Sequence, residues 1–106
     1  MFEFLVETYA EPEPTSLLAA RVEAAALAAA QTREAGAQVR LLQAILVPDD
    51  ESCFYLYRSP SADAVCEALR RARLRVERIS EAVSINPPPG IGQRRRQRRP
   101  PGQAPS

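Results

Sequence analysis

Residues 52–81, SCFYLYRSPSADAVCEALRRARLRVERISE, constrain the fold more than any other stretch of this chain. They read as a strand, a Ser-Pro helix start, an amphipathic helix, a short connector and a second strand. In residues 53–58 the alternation sets Cys53, Tyr55 and Tyr57 on one face and Phe54 and Leu56 on the other. Ser59 is the expected N-cap, with Pro60 at the first helical position and Asp63 in the first turn. Ala62, Val65, Cys66, Leu69 and Ala72 then form the expected buried stripe, with Glu67, Arg70, Arg71 and Arg73 facing out. Residues 76–85 close the unit as a strand, with Ile79, Glu81, Val83 and Ile85 on one face.

The preceding residues repeat this plan in divergent form. Residues 2–9 alternate Phe2, Phe4 and Val6 against Glu3, Leu5, Glu7 and Tyr9, which predicts a strand. The EPEP connector at 11–14 leads to Thr15 or Ser16 as N-cap of a helix reaching about residue 35. Leu18, Val22, Ala25 and Ala29 lie on one stripe of that helix, and Gly36 is its expected stop. Residues 39–47 predict another strand, with Val39, Leu41, Ile45 and Val47 on one side and Leu42, Ala44 and Leu46 on the other. The acidic turn at 48–51 makes a hairpin of it with the strand that follows.

The predicted order is βαββαβ. It describes a ferredoxin-like α+β fold: a four-stranded antiparallel sheet with two helices on one face. Two helices cover only one face of such a sheet. The other, with Leu5, Tyr9, Tyr55 and Tyr57 as candidates, is too apolar for open water, and the same face of a second copy would cover it. A homodimer is therefore expected.

Composition separates this domain, residues 1–86, from a tail at 87–106. The tail, PPPGIGQRRRQRRPPGQAPS in its last twenty residues, has no apolar periodicity and reads as disordered. The near-neutral total hides a split: residues 1–93 carry nine Arg and thirteen acids, while Arg94, Arg95, Arg96, Arg98 and Arg99 supply five charges to the tail. Those five arginines are candidates for nucleic-acid contact. Without interleaved aromatics or a companion basic patch, a solvated tail is the preferred reading, and nucleic acid is not the expected partner. No apolar run approaches the length of about 20 residues that spans a bilayer, and MFEFLVETY lacks the basic start of a secretory signal. The two cysteines, Cys53 and Cys66, have no disulfide-framework or zinc spacing, so a reduced, cytoplasmic protein without membrane contact is expected.

YRSPSADAVCEALRRARLRVERISEAV resembles a family of small bacterial ferredoxin-like proteins of unknown function, one member of which is described as nickel-binding. The matching residues are Tyr57, Pro60, Arg70, Arg71, Ala72, Arg78, Ile79 and Glu81, and FLVE at 4–7 is similar to that family's first strand. The resemblance implies the same fold, a homodimer and nickel as cofactor. The chain departs from the pattern at Ala68, where the family often has histidine, and at Arg73 and Arg75, which replace a helix-ending glycine and a following proline. It contains no histidine. Nickel prefers imidazole or thiolate donors, so nickel affinity is expected to be weak or lost.

The candidate ligand or metal residues are thus Glu7, Cys53, Tyr55, Tyr57 and Glu81. Cys66 is expected in the buried stripe, and Cys53 in a more open position. Three function classes remain. The first is a non-catalytic homodimeric binding protein similar to the nickel-binding family, with a degenerate metal site. The second is a small enzyme, an isomerase or cofactor-independent oxygenase, with Glu7, Tyr55, Tyr57 and Glu81 around a dimer cavity. The third is a nucleic-acid-associated protein acting through the arginine tail.

Overall fold

A computed structural model describes residues 1–10 and 14–89. The nucleic-acid candidates Arg94, Arg95, Arg96, Arg98 and Arg99 lie outside the described residues. The elements follow the expected order: β1 (Phe2–Tyr9), α1 (Thr15–Glu34), β2 (Arg40–Val47), a 3₁₀ turn (Pro48–Asp50), β3 (Ser52–Ser59), α2 (Ala62–Ala72) and β4 (Val76–Ala82). The four strands form one antiparallel sheet in the order β2-β3-β1-β4. This is the ferredoxin-like α+β architecture.

Cross-strand neighbours share a face of a sheet, so the pairing registers sort the strands' side chains. Phe4, Val6 and Thr8 of β1 stand opposite Tyr57, Tyr55 and Cys53 of β3, and all six are buried. They form the core with Ala25 and Ala29 of α1 and Ala64, Val65, Ala68 and Leu69 of α2. Leu18 and Val22 pack at its margin, so the expected α1 stripe is the one that meets the sheet. Alanine dominates α1, and its short side chain lets helix and sheet backbones approach closely.

Four local features differ from the sequence expectation. In β2 the register slips between Leu41 and Gln43, so Leu41 faces the core together with Ala44 and Leu46, while Leu42 and Ile45 are exposed. One extra residue at a bulge inverts the parity of everything before it. At the start of α2, Ser59 is still a strand residue paired with Phe2, and its hydroxyl donates to the Gln38 carbonyl at 2.7 Å. The cap therefore falls on Ser61, whose Oγ accepts the Ala64 N–H, and Pro60 precedes the helix instead of opening it. Neither Thr15 nor Ser16 caps α1; Pro14 holds that position, and its carbonyl accepts from Leu17 and Leu18. Finally, β4 ends at Ala82, leaving Val83 and Ile85 exposed. Gly36 does follow the end of α1, at φ 108°, where a side chain would be strained.

Candidate functional site

The five candidate residues divide between the two faces of the sheet. Glu7 is half-buried on the face without helices, opposite Phe54 on β3 and Arg78 on β4. Tyr55 and Tyr57 point the other way, into the core, which corrects their expected place on the open face. Either tyrosine face could have received the helices; the strand pattern alone is symmetric in that respect. Glu81 stands opposite Phe4, on the helix side of β4, and is exposed. Glu7, Tyr55, Tyr57 and Glu81 therefore do not line one cavity.

The two cysteines exchange their expected environments. Cys53 shares the tyrosines' face and is only 4% exposed, whereas Cys66 is open to solvent. The buried stripe of α2 runs through Ala64, Val65, Ala68 and Leu69, so Cys66 falls one helical step past its edge. Burial pushes the Cys53 thiol above its ordinary value, and a hydrogen bond with Tyr55 draws it partly back. Burial, with neighbouring Cys53 and Tyr57, likewise holds the Tyr55 hydroxyl well above the usual phenol range, while the Arg21 guanidinium opposes the shift. Tyr57 is pushed up to about 12 by burial alone, and its hydroxyl has no hydrogen-bond partner.

These donors do not fit nickel. A site for that ion needs several nitrogen or sulfur ligands converging on one point. Here Cys53 is buried and protonated, and Glu7 and Glu81 belong to opposite faces. Among the described residues no three His, Cys, Asp or Glu side chains gather as a metal centre requires.

Two surfaces remain. The first is the uncovered face of the sheet. Its centre is apolar: Leu5 on β1, Phe54 and Leu56 on β3, and Ile45 and Val47 on β2 follow one another across the registers. Charges border it. The Glu3 carboxylate accepts from Arg58 at 3.2 Å and from the Ser84 hydroxyl, and these two partners hold its carboxyl below the usual range. Arg40 stands in the same row, and Glu7 and Arg78 flank the centre on the β4 side.

The second surface is a groove of about 350 Å³ at the end of the helix layer, where the C-terminus of α2 comes over the beginning of β3. Thr8, Cys53 and Tyr55 lie at its sheet side, Leu18, Ala24 and Leu74 give it apolar walls, and Arg21, Arg73 and Arg75 also line it. No acidic residue is among the described residues that line it. Arg73 caps α2 in the left-handed conformation, at φ 59° and ψ 39°. That geometry suits glycine and costs other residues roughly 1–2 kcal/mol. A faint sign of this groove lay in the chain's departures at Arg73 and Arg75 from the glycine and proline of the pattern it resembles. Arg21 gave none, since only the packing of α1 brings it near them.

No protein-family model and no curated protein matches this chain. Among solved structures it is similar to SCO4226 from Streptomyces coelicolor A3(2), with a TM-score of 0.65 and 22% identity. The chain shares the ferredoxin-like fold of SCO4226. The likeness covers 78% of this chain and 99% of the SCO4226 chain, so the shared architecture takes in nearly all of the latter. No helix among the described residues is long and apolar enough to cross a membrane.

Proposed function

We propose that this chain is a small non-catalytic binding protein that works as a homodimer, two copies meeting through their uncovered sheet faces. The observation that carries the proposal is the apolar centre formed by Leu5, Ile45, Phe54 and Leu56 on a face that no helix among the described residues covers. A surface of this kind marks an interface. The charges around it favour a second copy as the occupant. The face carries both signs, Glu3 and Glu7 on β1 with Arg40, Arg58 and Arg78 on the other three strands. A two-fold axis through the apolar centre can set cations of one copy against carboxylates of the other.

The non-catalytic reading rests on the separation of the polar groups. Glu7 has neither tyrosine beside it on the open face, and the tyrosines are held neutral in the core. The nickel function implied by the family resemblance has no converging donor set among the described residues to support it, so no metal enters the proposal.

Light scattering on the full chain tests the dimer directly. The wild type is expected to run as a dimer at micromolar concentration. Ile45→Lys places a charge at a position already 46% exposed in the protomer, so it spares the fold and should give a monomer with wild-type circular dichroism. Phe54→Arg, nearer the centre, should do the same. A monomeric wild type, or a dimer indifferent to both substitutions, overturns the assignment.

A further inference from the structure

We infer that the groove between α1, α2 and the sheet binds a small organic anion, a carboxylate or phosphate head joined to a short apolar body. The inference names a ligand class for the binding function proposed above, but its site lies on the helix side of the sheet and does not involve the dimer face. A volume of about 350 Å³ suits a ligand of modest size. The lining supplies both halves of the recognition. Leu18, Ala24 and Leu74 offer the apolar contact, and Arg73 and Arg75 the positive potential.

Two observations separate this groove from an ordinary basic surface. The first concerns how the arginines of α2 are used. Arg70 and Arg71 share the single Glu67 carboxylate, at 2.6 Å and 3.0 Å. Among the described residues Arg73 and Arg75 have no such carboxylate, and no acid stands among the described residues that line their groove. Neighbouring cations without a counter-charge raise the local potential, which an anion would relieve. The planar guanidinium also matches carboxylate and phosphate oxygens in paired hydrogen bonds.

The second observation is the backbone at Arg73. The Arg73 N–H donates to the Arg70 carbonyl and the Leu74 N–H to that of Leu69, a helix ending that glycine satisfies without strain. An arginine there keeps the same turn at an energetic cost, and strain of this kind collects at functional positions. On the inner side, Tyr55 and Cys53 are protonated at neutral pH at their ordinary values and burial only raises them further, so these two groups add no negative charge to the groove. Their neutrality favours an anion over a cation as the occupant.

Titrating ¹⁵N-labelled full-length protein with phenyl phosphate, hexanoate and inorganic phosphate, followed by amide chemical shifts, tests the inference. Phenyl phosphate or hexanoate is expected to give saturable shifts centred on Thr8, Ala10, Cys53 and Leu74. Inorganic phosphate, lacking the apolar part, should bind more weakly. Arg73→Gly and Arg75→Gln should each weaken binding about tenfold, the loss of one charge-assisted contact. Arg73→Gly is informative because it suits the local backbone, so lost affinity cannot be assigned to a damaged fold. No saturable shift up to about 10 mM, where affinities pass below the weak-binding range, would overturn the inference. So would shifts centred elsewhere, wild-type affinity in both variants, or inorganic phosphate binding as tightly as phenyl phosphate. The same titration on Ile45→Lys should give unchanged groove affinity. Failure of the dimer and failure of the groove therefore register in different measurements.

Discussion

The Tyr57 hydroxyl shows how one buried atom can be read for energy. The ring is fully buried and in contact with the core, but the oxygen has no hydrogen-bond partner. An unsatisfied buried hydroxyl costs about 1–3 kcal/mol. Tyr57→Phe removes that oxygen and keeps the ring, so it is expected to raise unfolding stability by about 1 kcal/mol, measurable by urea denaturation. The same residue governs alkaline behaviour. Its folded value, about 12, lies above the ordinary 10, so the native state keeps the proton that the unfolded chain loses first. The contribution is complete below pH 10 and disappears as the pH rises toward 12. Tyr57→Phe should therefore flatten the alkaline loss of stability in that window; a variant as alkali-sensitive as the wild type, or less stable at neutral pH, would show that the oxygen has a partner. The sequence made the grouping of Cys53, Tyr55 and Tyr57 legible, because strand alternation does not depend on tertiary structure. Which side faces the helices was not legible, since Phe54 and Leu56 are also apolar and make an equally acceptable inner face.

At the scale of elements, helix ends and strand registers decide where side chains finally point. Replacing Arg73 by glycine removes a left-handed cost of roughly 1–2 kcal/mol. It also removes a cation from the C-terminus of α2, whose dipole interaction is worth about 0.3–1 kcal/mol when exposed. The first effect is the larger. Arg73→Gly is expected to stabilise the protein by about 0.5–1 kcal/mol by chemical denaturation, even as the groove loses a charge. A destabilised Arg73→Gly would mean that the side chain has a packing role outweighing its backbone cost. Strand and helix identities were readable from periodicity, as Phe2–Tyr9 and the α1 stripe illustrate. The bulge between Leu41 and Gln43 was not, because a run of apolar residues reads equally well in either parity. The α2 cap moved from Ser59 to Ser61 for a related reason. Both serines are good caps in isolation, and the pairing of Ser59 with Phe2 reserves it for the sheet.

For the whole molecule, the βαββαβ order leaves a division of labour between faces. One side of the sheet is used up by α1 and α2 to build a core from small residues, with Tyr55, Tyr57, Phe4 and Leu69 supplying most of its bulk. The other side keeps Leu5, Phe54 and Leu56 only partly covered. A domain of this size gains little from a single core, so burying the second face couples stability to association. The groove arginines illustrate the limit of linear reading at this scale. Arg21 and Arg73 are far apart in sequence, and their meeting depends on how two helices settle on one sheet. If two copies share the open face, folding is second-order in protein. Each tenfold rise in concentration should then add about 1.4 kcal/mol to apparent dimer stability and move the thermal midpoint upward by a few degrees. Calorimetry on the wild type over roughly a hundredfold range of concentration measures this slope. Ile45→Lys should abolish it and unfold at a lower, concentration-independent midpoint, since the protomer then has its own core alone to rely on. A wild-type midpoint constant across that range would show that the open face contributes nothing through self-association.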